Sequence, residues 1–181
     1  MQTMATELFF DASEIQQLSR AIGNLPAEIK GKAVASAMRR MRDMARTRIV
    51  KRSAERTDLP VGKVRKLTTA FFNAGSNTID VIEKSGWIPL SDLGATQTSR
   101  GVRVRARGSY KSAFIATMGS GHRGVMKRVG KERLPIRELF GPNPAHDVTN
   151  NPDEFVKVLA ELIEDHLAPR VLHELDRLLP R

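Results

Sequence analysis

The stretch Ser112–Pro144 reads SAFIATMGSGHRGVMKRVGKERLPIRELFGPNP. Phe114-Ile115-Ala116-Thr117-Met118 alternates as a strand does, with bulky Phe114 and Met118 on one face. Gly119-Ser120-Gly121 supplies the positive-φ positions that a reversal needs, and Gly124 to Val129 returns as a second strand. A basic loop then leads to a third strand that ends in the Gly141-Pro142 turn. The stretch has no catalytic constellation. It reads as a scaffold that presents arginines.

Working outward, Gly101-Val102-Arg103-Val104-Arg105-Ala106-Arg107-Gly108 alternates without a fault. That pattern predicts one strand with Val102, Val104 and Ala106 inward and Arg103, Arg105 and Arg107 in a row outward. A row of like charges on one sheet face is unfavourable unless solvent or a partner faces it. Before it, Leu93–Ser99 is small and polar and is expected to be a mobile loop. Trp87-Ile88-Pro89-Leu90 is expected to be an extended edge segment, and Thr78–Glu83 a strand after the turn cluster at Asn73–Asn77.

The N-terminal part is helical by period. Leu8-Phe9-Phe10 suggests a short strand or arm, and Asp11–Glu14 has capping-box spacing before Ile15, Leu18 and Ile22. A long helix is predicted from Pro26 to about residue 55, burying Ile29, Ala33, Val34, Ala37, Met38, Met41, Ala45 and Ile49. Its other face carries Arg39, Arg40, Arg42, Arg46, Lys51 and Arg52. Thr57–Pro60 starts another helix through Val61, Val64 and Leu67. After Asn150-Asn151-Pro152, Phe155, Val158, Leu159, Leu162 and Ile163 mark a C-terminal helix that Pro169 is expected to kink or break.

The chain has 181 residues, no cysteine and a net charge of +10, unevenly placed. Lys30–Lys66 holds 13 Lys/Arg against Asp43, Glu55 and Asp58, and Arg100–Arg137 holds 11 against Glu132 alone. The C-terminal part is acidic. Such a bipolar chain meets a polyanion or pairs opposite patches between copies. Without cysteine, disulfides and thiolate metal sites are excluded. The N-terminal stretch lacks the basic and apolar regions of a secretory signal, and no apolar run is long enough for a membrane span. A soluble, cytosol-made protein without membrane contact is expected.

Several motif matches fail on context. Gly119-Ser120-Gly121-His122-Arg123-Gly124 spells the dinucleotide fingerprint, but a strand follows it rather than a helix. The helix pair around Thr57 has too long a first helix and too short a second for a helix-turn-helix. His122, His146, His166 and His173 lack metal-ligand spacing, and no nucleophile elbow is present. Neither an enzyme nor a cofactor is expected.

The run Ala113-Phe114-Ile115, His122 to Lys131, Leu134-Pro135-Ile136 and the Gly141-Pro142 turn resembles the minor tail protein Z family of tailed bacteriophages. In that family the block also follows a long basic helical region and a basic alternating strand, and precedes a C-terminal helix. The resemblance implies a virion protein that completes the tail of a long-tailed phage or prophage. It would sit at the head-proximal end, in a ring around the DNA channel with six subunits favoured. Its neighbours would be the tail terminator, the tail tube and the head connector, with genomic DNA within reach. The competing reading is a basic nucleic-acid-binding protein. Both draw on one candidate surface: Arg39, Arg40, Arg42, Arg46, Arg103, Arg105, Arg107, Lys127, Arg128, Lys131 and Arg133. The expected fold is α+β in one domain over residues 1–181. It comprises an N-terminal arm (1–24), a basic helical region (26–67), a small, mainly antiparallel sheet (78–140) and a C-terminal helix (151–179).

Overall fold

The protein is α+β, with two long helices packed together and three small antiparallel sheets. The computed structural model describes residues 5–8, 26–105 and 107–178. The helix expected at Asp11–Ile22, the inward position of Ala106 and the end of the C-terminal stripe at Leu179 lie outside them.

The long helix α1 runs Ala27–Thr57 and buries the stripe its period predicts, from Ala33 through Met41 to Ile49, then continues to Val50 and Ala54. At 1.5 Å per residue it is roughly 46 Å long, long enough to serve two cores. In the first, Ala33, Ala37, Met38, Met41, Ala45 and Ile49 meet Ile79 and Val81 and the C-terminal helix residues Phe155, Leu159, Leu162 and Val171. In the second, Val50 and Ala54 meet Leu59, Val64, Ile88, Leu90, Val102, Val104, Ala113 and Val125. The helix ends where Asp58 turns left-handed at φ 49° and returns its N–H to Ala54 O. Helix α2 (Val61–Leu67) follows and passes directly into a strand.

Strands β1 (Ala5–Leu8), β2 (Thr68–Asn73) and β3 (Thr78–Lys84) form the first sheet, with β3 central. Strands β4 (Ala95–Thr98), β5 (Gly101–Val104) and β6 (Gly108–Lys111) form the second, with β5 central. Strands β7 (Ala113–Thr117), β8 (Arg123–Arg128) and β9 (Ile136–Glu138) form the third, with β8 central. The expected single sheet over 78–140 is thus three sheets. Each is too small to close a core alone, and α1 or its loops cover them. The Gly119–Gly121 segment is the hairpin turn that its context requires, with Met118 N donating to His122 O at 2.8 Å and Gly121 at φ 83°.

Two sequence expectations fail between residues 93 and 108. The polar segment after Leu93 is strand β4, because Thr96, Gln97 and Thr98 pair with β5 and need no buried side chains to do so. The unbroken alternation from Gly101 to Gly108 is two strands, β5 and β6, with a tight reversal between Val104 and Gly108. Arg107 N donates to Val104 O at 3.1 Å within that turn, and Gly108 takes φ 83°. Arg103, Arg105 and Arg107 therefore do not share a face. The reversal carries no Asn or Pro, which is why a period-2 reading runs through it.

At the C-terminal end, α3 (Pro144–Asn150) is a short helix that the sequence reading passed over. Asn151 does not cap the next helix with its side chain, but bonds back to Asp147 O and Oδ1. Helix α4 (Pro152–Leu178) continues through Pro169 without a break. Leu167, Val171 and Leu175 remain in the core on either side of that proline. Packing along α1 outweighs the one backbone bond a proline removes.

Glu83 is the most deeply buried carboxyl among the described residues. It is 2% exposed, on β3 between Thr68 of β2 and α1, and Ser53 Oγ donates to its Oε1 at 3.0 Å. Its carboxyl is pushed up to about 7, chiefly by burial and further by the Asp147 charge, while the Ser53 and Thr68 hydroxyls oppose the shift. The folded protein therefore keeps this proton to a higher pH than the unfolded chain does. Stability falls as pH rises from the ordinary value of 4.5 to about 7, then levels off. The Glu83→Gln variant is expected to lose that slope. Relative to wild type it gains about 2–3 kcal/mol between about pH 5 and about pH 8, measured by urea unfolding. A difference that is the same at both pH values would refute the protonated-carboxyl assignment.

Candidate functional site

Half of the basic face of α1 bonds within the chain, at Arg42, Arg46 and Arg52, while Arg39, Arg40 and Lys51 stay exposed. Arg46 Nε donates to Thr68 O at 2.9 Å and its Nη2 to Arg65 O at 3.0 Å, tying α1 to the α2–β2 junction. Arg42 bonds to the adjacent Asp43. Arg52 pairs with Glu154 on α4, and this contact holds the Glu154 carboxyl below its usual value. Arg56 grips Asp147 on α3 with two bonds of 2.7 and 3.0 Å, and the carboxylate raises the guanidinium's pKa in turn. Arg48 meets His166 at 2.9 Å. Two ion pairs, Arg52–Glu154 and Arg56–Asp147, thus join the basic long helix to the acidic C-terminal part within one chain. Of the α1 candidates, Arg39 and Arg40 remain exposed and form no bond among the described residues.

The three strand arginines separate in the same way. Arg107 turns inward and donates to Thr57 O, one of the carbonyls that the last turn of α1 leaves open. Arg105 lines a groove of about 410 Å³ with Glu55, Asp58 and Val61. Arg103 stays on the sheet face, exposed. Lys127 and Arg128 lie in β8, where the Arg128 guanidinium sits 5.4 Å from the centre of the Phe114 ring. Lys131 and Arg133 are exposed in the loop between β8 and β9.

Arg107→Ala is expected to lower stability by about 1–2 kcal/mol, because it orphans a helix-end carbonyl, while Arg103→Ala stays within about 0.5 kcal/mol. Equal effects in thermal melts would contradict the separation.

Sequence reasoning missed two cations. The register sets Gly101 opposite Lys111 and opposite Thr98, and Arg103 opposite Ser109 and Thr96. Since Val102 and Val104 are buried, the alternate positions share the outer face. Gly101 lies at one end of this face, on its central strand, with φ 149°, and a Cβ there would fall 2.2 Å from Tyr110 O. Only glycine fits. With no side chain at that position, a hollow of about 810 Å³ opens there, lined by Thr98, Ser99, Arg100, Ser109, Lys111 and Ser112 among others. Arg100 and Lys111 are exposed there, and neither bonds to a carboxylate among the described residues. Reading 101–108 as one strand hid this pairing. The signal was the glycine at each end of that run.

A different surface gathers apolar side chains. Pro89 bridges Phe140 antiparallel, and Gly141 N donates to Ile88 O at 2.7 Å. Ile88 and Gly141 are buried, so the alternating Trp87, Pro89, Phe140 and Pro142 face outward together. Trp87 is 57% exposed and Phe140 46%. His146 supports the Trp87 ring edge-on at a centroid distance of 5.4 Å. Buried Asn143 holds the strand that leads into Trp87, with Nδ2 donating to Ser85 Oγ at 2.8 Å and Oδ1 accepting from Gly86 N at 3.2 Å.

Among the described residues no three His, Asp or Glu side chains gather as metal ligands, and no helix is long and apolar enough to cross a membrane. His122 bonds to Glu138 at 2.9 Å instead. Compared with protein families, curated proteins and solved structures, the chain matches none.

Proposed function

We propose that the chain is a structural virion subunit that completes the head-proximal end of a phage or prophage tail. Copies of it form a ring around the DNA channel, next to the tail terminator, the tail tube and the head connector. The observation that carries this reading is the outward Trp87–Pro89–Phe140–Pro142 surface. An aromatic patch of that kind, held rigid by Asn143 and a backbone bridge, is what a protein–protein interface supplies. The patch includes Phe140 and Pro142, at the end of the block that resembles tail protein Z. Exposed Lys131 and Arg133 belong to the same block, and Asp153, Glu161, Glu164, Asp165 and Asp176 line the outer side of α4. Opposite charges left at separate places on one subunit favour heterologous contacts, which close a ring when the rotation allows.

Trp87 is the chain's one tryptophan and reports on the patch directly. Purified protein is expected to form rings in negative-stain images. Its tryptophan emission shifts to the blue as concentration rises, and light scattering gives a smaller mass at about 500 mM than at about 50 mM salt. The Trp87→Ala/Phe140→Ala double variant stays monomeric with an unchanged far-UV spectrum. A wild-type protein that remains monomeric at every concentration and salt would count against the reading.

A further inference from the structure

The outer face of β4–β5–β6 has a chemistry the assembly reading does not use. Arg100 and Lys111 line a hollow floored by Gly101 and bordered by Thr98, Ser99, Ser109 and Ser112, and exposed Arg103 lies two residues along β5 from Gly101, opposite Ser109. None of the three cations bonds to a carboxylate among the described residues. By contrast, the arginines of α1 from Arg42 to Arg56 all find partners within the fold. Unpaired cations on neighbouring strands repel one another, and an anion bound between them relieves that cost. Lys111 and Arg103 lie on the diagonal of paired strands, about 7–8 Å apart at the backbone. At that separation their long side chains reach neighbouring anionic groups rather than compete for one.

We propose that this face binds the phosphodiester backbone of double-stranded nucleic acid, without regard to sequence. Cations and hydroxyls are the side chains that contact phosphates. Tyr110 also lines the hollow, but it is half-buried and packs against the second core, so its ring has no free face on which a single-stranded base stacks. A polyanion with its charges regularly spaced along a stiff backbone fits such a face better than a small ion, which satisfies one cation and leaves the others. The whole site lies within one subunit, so it does not depend on ring formation or on the tail assignment.

The test is fluorescence anisotropy with a short labelled duplex of mixed sequence, on the full chain, between about 50 and about 200 mM salt. Wild type is expected to bind with a steep salt dependence. Arg100→Ala/Arg103→Ala/Lys111→Ala loses at least tenfold in affinity, and its log–log salt slope falls by about 2–3, one step per phosphate contact removed. Lys84→Ala/Lys157→Ala, which removes exposed cations of β3 and α4, leaves the slope unchanged. Inorganic phosphate at matched ionic strength does not displace the duplex. Three results would overturn the proposal: no duplex binding by wild type at low salt, the same slope in the triple variant as in wild type, or displacement by a polyglutamate peptide at equal charge concentration. The last would assign the face to an acidic protein. Unchanged far-UV spectra confirm that the variants fold, as expected for exposed side chains.

Discussion

One apolar stripe on α1 closes both cores of this protein, and most other features follow from that constraint. A helix of 31 residues with a buried side along its length needs cover from end to end. The first sheet and α4 supply it for the N-terminal part, and the loops and strands from Leu59 to Val125 supply it for the last turns. Helix α4 then has to run beside α1, which sets its length and keeps it continuous through Pro169. Alanines at positions 33, 37 and 45 allow the close approach, and Met38 and Met41 fill the irregular space between.

The same constraint explains where the charge goes. A long helix flanked by α3, α4 and the α2–β2 junction has little open surface near its end, so arginines there must find partners or leave. Arg46 takes backbone carbonyls, Arg52 takes Glu154, and Arg56 takes Asp147. Arg107 comes from the β5–β6 turn to the carbonyl of Thr57. These bonds join elements distant in sequence around the C-terminal end of α1. Glu83 lies close enough for Asp147 to add to its shift, yet it is met by hydroxyls and not by a cation. A buried carboxyl without a cation keeps its proton up to about pH 7, and below that pH it sits between α1 and the sheet without an unpaired charge.

Helical period was the part of the fold most legible in the sequence. The stripes of α1 and α4 are apolar at their buried positions except Ser53, Thr57 and Glu174, so a few turns fix both face and length. The hairpin at Gly119–Gly121 was legible too, because glycines bracket a reversal between two alternating runs. The β5–β6 reversal was not. Valine, alanine and arginine continue the alternation across it, and nothing in their local preferences marks a turn against the Val102–Tyr110 and Val104–Gly108 pairing that tertiary packing selects. Strand β4 was hidden for a related reason. Beyond half-buried Ala95 its side chains are exposed, so it carries no hydrophobic pattern and exists through backbone bonds to β5.

The candidate surface shows why a basic sequence is a weak guide to a basic site. Eleven cations were singled out by type and run, yet only those that the fold leaves without a partner can meet another molecule. Arg42, Arg46 and Arg107 are held by their own chain, whereas Arg39, Arg40, Arg103, Lys131 and Arg133 form no bond among the described residues. Arg100 and Lys111 join the free group because strand register, which sequence order conceals, brings them to the face of Gly101 and Arg103. An ion pair inside the fold removes a charge from the field that a partner meets at short range, and salt screens what reaches farther. Function on such a surface is therefore set by the arginines that folding does not use. Here they divide between the exposed part of α1, at Arg39 and Arg40, and the second and third sheets with their loops, at Arg100, Arg103 and Arg133.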